Sequence, residues 1–290
     1  MGTSRRSTAT PGIGQILIVM AVLLCIALFS LSAESMYSGY AKLIATTAVE
    51  AKLEARYGVQ LPMLQGDGPL TSSNNLKLNA TLGVSPVAAG IALDAILTPI
   101  AVVELNAGGS LGVGWSLSDT LVGMRKPAGL GFEPDSLKGL VYGARVGAAV
   151  QFDTGAILEG DWSSVLLRSY HEFNYQGYSN APGDEFYEYE MSGLRNSGFS
   201  YKGEYFIGYR MPIVLDTAGI LIETVKSDVM GDSPSDLFYT VSAVANFGFT
   251  EKLDVTVIPQ FTTRKINTDR TDSTIPLSFS RVVFFVNYAL

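Results

Sequence analysis

The chain is short of most residues that carry chemistry, with one cysteine, one histidine and two tryptophans in 290 residues. A lone cysteine, Cys25, excludes an internal disulfide framework and a thiolate zinc centre. A lone histidine, His171, leaves little for the imidazole-based designs of hydrolases and metalloenzymes. Only 16% of residues are charged, the net charge is -7, and no basic run occurs. An acidic chain of that kind is not built to hold nucleic acid. No phosphate-binding glycine loop is present. Long apolar runs are also scarce, since only residues 13–31 could cross a bilayer as a helix.

That one run follows Arg5 and Arg6 and precedes Ser32-Ala33-Glu34, so it has the basic, apolar and small-residue regions of a secretory signal. We read residues 1–33 as the signal peptide and 34–290 as the mature domain; a retained N-terminal anchor is the alternative. Cys25 is a poor acylation site, because Leu24 stands where a small residue is expected. Cleavage near Ala33 leaves a mature chain without cysteine, which suits passage through an oxidising periplasm. It also removes two of the 20 basic residues, leaving 18 against 27 acidic.

What the chain does have is hydrophobicity spread through short alternating runs. It is 47% hydrophobic, with a mean hydropathy of +0.25. In residues 199–211, Phe199, Tyr201, Tyr205, Ile207, Tyr209 and Met211 share one face, and Ser200, Lys202, Glu204 and Arg210 the other. Residues 142–153 and 237–249 behave in the same way, and 76–84, 87–97, 101–109, 165–176, 213–225 and 253–264 are further candidates. The last ten residues place Val282, Phe284, Val286, Tyr288 and Leu290 on one face, with Arg281 and Asn287 on the other. Such a strand is how outer-membrane barrels close, although most end in Phe or Trp. Period-two alternation of this kind predicts strands half exposed to an apolar medium.

Alternation does not separate a soluble sandwich, whose apolar faces meet in a core, from a membrane barrel, whose apolar faces meet lipid. The secretory signal, the runs of about ten residues and the amphipathic terminal strand favour the barrel. The expected fold is all-β: an antiparallel transmembrane β-barrel of about twelve strands, with ten or fourteen as neighbours, after the signal peptide. Eleven strands are clear. The doubt falls on residues 40–59, which alternate as one strand yet have the Ala, Glu, Lys and Leu content of a helix. The stretches 62–75, 110–138, 177–197, 227–236 and 265–274 read as long loops, most of them outside the cell, with the side of 62–75 left open. Ser85-Pro86, Thr98-Pro99 and Thr250-Glu-Lys252 read as tight turns.

Several segments go beyond general barrel grammar. Leu64-Gln-Gly-Asp-Gly-Pro-Leu-Thr-Ser-Ser-Asn-Asn75, Ser85-Pro-Val87, Leu97-Thr-Pro-Ile-Ala-Val-Val-Glu-Leu-Asn-Ala-Gly-Gly109 and Gly112-Val-Gly-Trp115 lie in the first half. Gly160-Asp-Trp162, Tyr170-His-Glu-Phe-Asn-Tyr-Gln-Gly-Tyr178, Arg195-Asn-Ser-Gly-Phe-Ser-Tyr201 and Gly208-Tyr-Arg-Met-Pro-Ile213 follow in order. Together they resemble a family of uncharacterised spirochaete outer-membrane β-barrel proteins. The resemblance implies the fold and carries no activity, ligand or catalytic residue.

The polar phase of the strands holds the candidate site. Basic Lys52, Arg56, Lys77, Arg145, Arg168, Lys202, Arg210, Arg264 and Arg281 would share a lumen with Glu50, Glu54, Asp94, Glu104, Asp153, Glu172, Glu204 and Asp254. Opposed charges either line a hydrated channel or pair into a plug. His171 falls on the lipid-side phase, opposite Arg168, Glu172, Asn174 and Gln176, and reads as an interfacial residue. The loop Asp184-Glu-Phe-Tyr-Glu-Tyr-Glu190 reads as a solvated outer loop; its carboxylates do not match a calcium-loop spacing. Gly108-Gly109 and Gly112-Xaa-Gly114 read as strand thinning or flexible loop.

The expected function is a narrow pore or transporter for small hydrophilic solutes in the bacterial outer membrane, not an enzyme and without metal or cofactor. Its partners would be outer-membrane lipid and, through the C-terminal strand, the barrel assembly machinery. Alternatives are a surface adhesin or receptor barrel with a salt-bridge-plugged lumen, an enzyme anchored on His171 beside Glu172, and an anchored soluble sandwich.

Overall fold

The computed structural model describes residues 36–48, 50–117, 122–125, 127–128, 131–132, 139–180, 187–190, 197–230, 237–265 and 273–290. Residues 1–33, expected to be a signal peptide and including Cys25, lie outside them. Twelve long strands pair antiparallel, each with its neighbours, and close into a barrel. They are β1 (Met36–Thr46), β2 (Ala51–Pro62), β3 (Asn75–Val84), β4 (Ala88–Ile100) and β5 (Val103–Gly114). After three two-residue strands, β6 (Met124–Arg125), β7 (Pro127–Ala128) and β8 (Gly131–Phe132), come β9 (Val141–Asp153) and β10 (Val165–Tyr178). The short β11 (Glu188–Tyr189) is followed by β12 (Gly198–Arg210), β13 (Leu215–Lys226), β14 (Leu237–Gly248), β15 (Leu253–Lys265) and β16 (Ser273–Ala289). Pairing of β1 with β16, from Tyr40 opposite Ala289 to Thr46 opposite Val283, removes the last free edge.

The ambiguous stretch 40–59 is two strands. Thr46 N–H donates to Glu50 O at 3.0 Å and folds a hairpin that sets Lys42 opposite Glu54. This hairpin supplies the twelfth strand and restores parity, so that loop 63–74 lies at the barrel end that holds Tyr37 and Leu290. Turns 101–102, 211–214 and 249–252 share that end, while β5, β10, β13 and β15 run out at the other. The Thr98-Pro99 turn is also corrected: both residues continue β4, and the chain reverses at Ala101 and Val102, with Ile100 opposite Val103. A proline is tolerated there because the ladder has already broken register between Leu97 and Ile100.

The barrel is apolar outside. Leu53, Leu93, Leu105, Val146, Val150, Ile207, Ile220 and Phe284 project from the outer face, and Val146 and Val150 are each 59% exposed. Aromatic residues gather toward both rims. On β10 and β12, Tyr175 packs edge-on to Phe199 at 5.1 Å and Phe173 against Tyr201 at 5.5 Å, near one rim. Tyr209 lies against Trp162 at 6.5 Å near the other, its hydroxyl donating to the Trp162 carbonyl at 2.5 Å. From Val165, the partner of Tyr209, to Phe173 the strand rises roughly 27 Å, or about 21 Å once tilted by ~40°. That spacing is close to the ~25 Å apolar band of outer-membrane barrels.

Candidate functional site: the barrel lumen

Twelve strands spaced ~4.8 Å apart and tilted by ~40° enclose a backbone cylinder about 24 Å across. Its inner face is held by ion pairs within a strand, between neighbouring or next-neighbouring strands, and from β2 to Glu190. Arg145 reaches Asp94 at 2.5 Å, with its Nε donating to the same oxygen at 2.9 Å. Arg168 meets Glu204 at 3.2 Å, and Lys202 meets Glu204 at 2.6 Å and Glu223 at 3.2 Å. Lys77 lies 3.9 Å from Glu104. Lys52 is 3.6 Å from Glu54 and 3.1 Å from Glu190. Arg56 donates to Thr81 Oγ1 at 3.0 Å and covers the Tyr40 ring.

The remaining sequence candidates lie nearer the rims, except Glu172 in the middle of β10. Arg210 pairs with Asp153 at 3.1 Å at the end where β9 and β12 finish. Glu50 is not on a strand; it sits in the β1–β2 turn and takes Arg281 at 2.5 Å. Arg281 also donates to Gln260 Oε1 at 2.9 Å. Asp254 accepts from Asn287 Nδ2 at 2.7 Å, and Arg264 covers the Phe238 ring. Glu172 accepts the Tyr170 hydroxyl at 2.5 Å and Asn174 Nδ2 at 3.2 Å.

Among the described residues, Lys42, Glu223 and Glu190 are inward charges outside the sequence candidates. Lys42, over the Phe285 ring at 4.7 Å, was hidden by the ambiguity of residues 40–59. Glu223 lies on a strand whose faces the sequence reading did not assign. Glu190 belongs to the acidic loop, and here the expectation of a solvated outer loop is corrected over its last four residues. Tyr187 is fully buried and Glu188 only 3% exposed. The β11 strand pairs with β6, Tyr189 opposite Met124 and Glu188 opposite Arg125, and Glu190 N–H donates to Gly123 O at 2.9 Å. Gly123 N–H in turn donates to Trp115 O, and Trp115 N–H to Val87 O, so this ribbon hangs from the β4–β5 wall.

The seat of the ribbon is made of glycine. A Cβ on Gly112 would lie 2.8 Å from Tyr189 Cζ, and one on Gly114 would lie 2.6 Å from Met124 Cγ. Gly112-Xaa-Gly114 is therefore neither strand thinning nor flexible loop: only a bare backbone lets Met124 and Tyr189 lie against the wall. Met124, Val141, Tyr178 and Tyr187 form an apolar cluster beneath, with Tyr189 packed on it. Burial, with Glu190 alongside, pushes the Tyr189 phenol well above its ordinary range and keeps it neutral. Residues 108–112, Gly-Gly-Ser-Leu-Gly, spell the letters of a nucleophile elbow. They lie within β5 and lack the strand-to-helix turn that exposes such a serine.

His171 lies on the outer face. Its Nε2 is 3.1 Å from Ser169 Oγ and its Nδ1 is 2.7 Å from the Tyr201 hydroxyl. The ring stacks on Tyr201 at 6.1 Å, with the sheet between it and Glu172.

Inside, between the ribbon and the walls, a cavity of about 420 Å³ remains, lined among others by Lys52, Glu54, Arg145, Glu172, Glu190 and Lys202. Among the described residues there is no group of three or more His, Cys, Asp or Glu side chains placed to hold a metal ion.

The chain is similar in structure to the KdgM porin, with a TM-score of 0.41 and 11% identity over 88% of this chain and 99% of that one. It is similar to the transport unit of the autotransporter AIDA-I from Escherichia coli, with a TM-score of 0.39 and 8% identity over 93% and 97% of the two chains. The translocator domain of the autotransporter NalP from Neisseria meningitidis gives 0.37 and 8%, covering 95% of each chain. These likenesses concern the barrel fold and say nothing of function. No family model and no curated protein matches the chain, so the spirochaete resemblance rests on the quoted segments alone.

Proposed function

We propose that this chain is a bacterial outer-membrane barrel that passes small hydrophilic solutes through a narrow, charge-lined lumen. The observation that carries the reading is the cavity of about 420 Å³, walled by ion pairs whose side chains keep part of their surface accessible. Lys52 and Lys202 retain 31% and 34% exposure and Glu54 and Glu190 19% each, which supports a water-filled space over a dry plug. The apolar outer band and aromatic rims support a place in lipid. The secretory character of residues 1–33 and the terminal amphipathic strand support export and insertion by the assembly machinery. His171, on the outer face and bonded to Ser169 and Tyr201, supports a passive role over an enzymatic one.

The docked ribbon favours a second reading, a receptor barrel whose outer mouth is occupied, because Met124 and Tyr187 are fully buried there. Planar-bilayer recordings separate the two. A pore gives discrete current steps at a fixed salt concentration; a folded, inserted protein that passes no current is the receptor.

A further inference from the structure

The charges that line the cavity are not paired one to one. Lys52 is shared by Glu54 and Glu190, and Lys202 by Glu204 and Glu223. Arg145 is committed to Asp94 by two contacts, at 2.5 and 2.9 Å. Glu172 is left as a cavity carboxylate without a cation at ion-pair distance among the described residues. Its cross-strand partner is Lys202, yet the Lys202 ammonium is drawn to Glu204 on its own strand and to Glu223 on β13.

Glu172 is also held in place. Asn106 Nδ2 donates to the Tyr170 hydroxyl at 2.7 Å, and that hydroxyl donates to Glu172 Oε2 at 2.5 Å. Asn174 Nδ2 holds Oε1 at 3.2 Å, and Ser200 Oγ fixes the Asn174 amide by donating to its Oδ1 at 2.5 Å. A carboxylate oriented by neutral donors and facing a hydrated space is poised for a charge the protein itself does not supply.

We infer that this cavity binds a small solute carrying a primary ammonium group, with Glu172 as its anchor. The inference deepens the pore reading and rests on it only for the route by which the solute arrives. An ammonium offers three donors, and the site presents the free lone pairs of Glu172 together with the Asn174 carbonyl. An anionic solute meets paired cations already engaged by carboxylates and has to break those pairs to bind.

The test is calorimetric titration of the full chain, folded in detergent, with four-carbon probes that differ in their end groups: 1,4-diaminobutane, butane-1,4-diol and succinate. The diamine is expected to bind saturably and the diol and succinate at least about tenfold more weakly. Glu172→Gln is expected to weaken the diamine about fivefold, the loss of one unit-charge contact at ~4 Å in a water-filled site. Glu172→Asp, which keeps the charge, is expected to recover part of that loss, and Glu251→Gln, in an exposed turn away from the lumen, to leave it unchanged.

Equal binding of diamine and diol, or tighter binding of succinate, overturns the inference on the unsubstituted chain, whatever the variants do. So does a folded Glu172→Gln protein that binds the diamine as before. Diamine binding without bilayer current overturns the pore reading and leaves this inference standing; current without diamine preference does the reverse.

Discussion

Replacing Gly112 with Val should release the inner end of the ribbon and widen the lumen. The added Cβ would lie 2.8 Å from Tyr189 Cζ and 3.4 Å from Cε1, and would meet the hydroxyl as well. Overpacking of this order costs about 1–3 kcal/mol. Within the ribbon the β6 pairing remains, with Glu190 N–H donating to Gly123 O at 2.9 Å; against the barrel wall the Tyr189 and Glu190 side chains are held by a long hydrogen bond to Ala89 O, at 3.4 Å, and by the Lys52 pair at 3.1 Å. Partly exposed contacts of that kind contribute about 0–1 kcal/mol each, so the clash prevails over them. The fully buried Met124 and Tyr187 beneath contribute about 1.5–3 kcal/mol each and should stay in place. The expected outcome is thus a local release. A chain segment ~5 Å thick drawn back from a bore of about 12 Å between side chains should raise single-channel conductance roughly one and a half fold. Because the cause is contact with one ring, the effect of Gly112→Val should vanish in a Tyr189→Ala background, a coupling that a double-mutant cycle measures. Equal increments in both backgrounds, or an unchanged conductance in a folded Gly112→Val protein, would refute the seat argument.

Val146, 59% exposed in the middle of β9, should tolerate charge poorly if it faces lipid: Val146→Arg is expected to cost about 2–4 kcal/mol in urea titrations of the protein folded in liposomes. Gln151→Arg, on the inward phase of the same strand, should cost less than half as much. Asp94→Asn strips Arg145 of its carboxylate, and with only 10% of the Asp94 side chain exposed the loss should be about 1–3 kcal/mol by the same titration. Lys202→Met leaves Glu223 without its 3.2 Å partner and adds net negative charge to the lumen, so current reversal under a salt gradient should move toward cation preference.

The barrel was legible because lipid on one side and water on the other impose a strict period of two. Arg145, Gly147 and Gln151 alternate with Val146, Ala148 and Val150 in the sequence, and in space they alternate between inside and outside. The phase of His171 followed in the same way from Arg168 and Glu172. Strand ends were less legible. Thr98-Pro99 looks like a turn by composition, yet the ladder absorbs the proline through a register break, which no local signal announces. The 40–59 hairpin carries no local turn signal, because Thr46-Thr47 and Glu50 make its turn without glycine or proline.

The ribbon was invisible for a different reason. Tyr187, Tyr189 and Glu190 read as a polar, aromatic surface loop, and their docking depends on a surface built 73 to 103 residues away by Gly112, Gly114 and Val87. The sequence did hold a trace of it. Of the glycines of β5 and β9, Gly108, Gly112, Gly114, Gly143 and Gly147 fall on the inward phase and Gly109 on the outer one, a bias that strand thinning by itself would not produce.

Size-limited uptake into proteoliposomes tests the central claim most directly. With the unsubstituted chain inserted, a monosaccharide such as arabinose should enter and a trisaccharide such as raffinose should be held out. Exclusion of both from vesicles that contain folded protein, or entry of both at equal rates, would contradict a narrow lumen constricted by the docked ribbon.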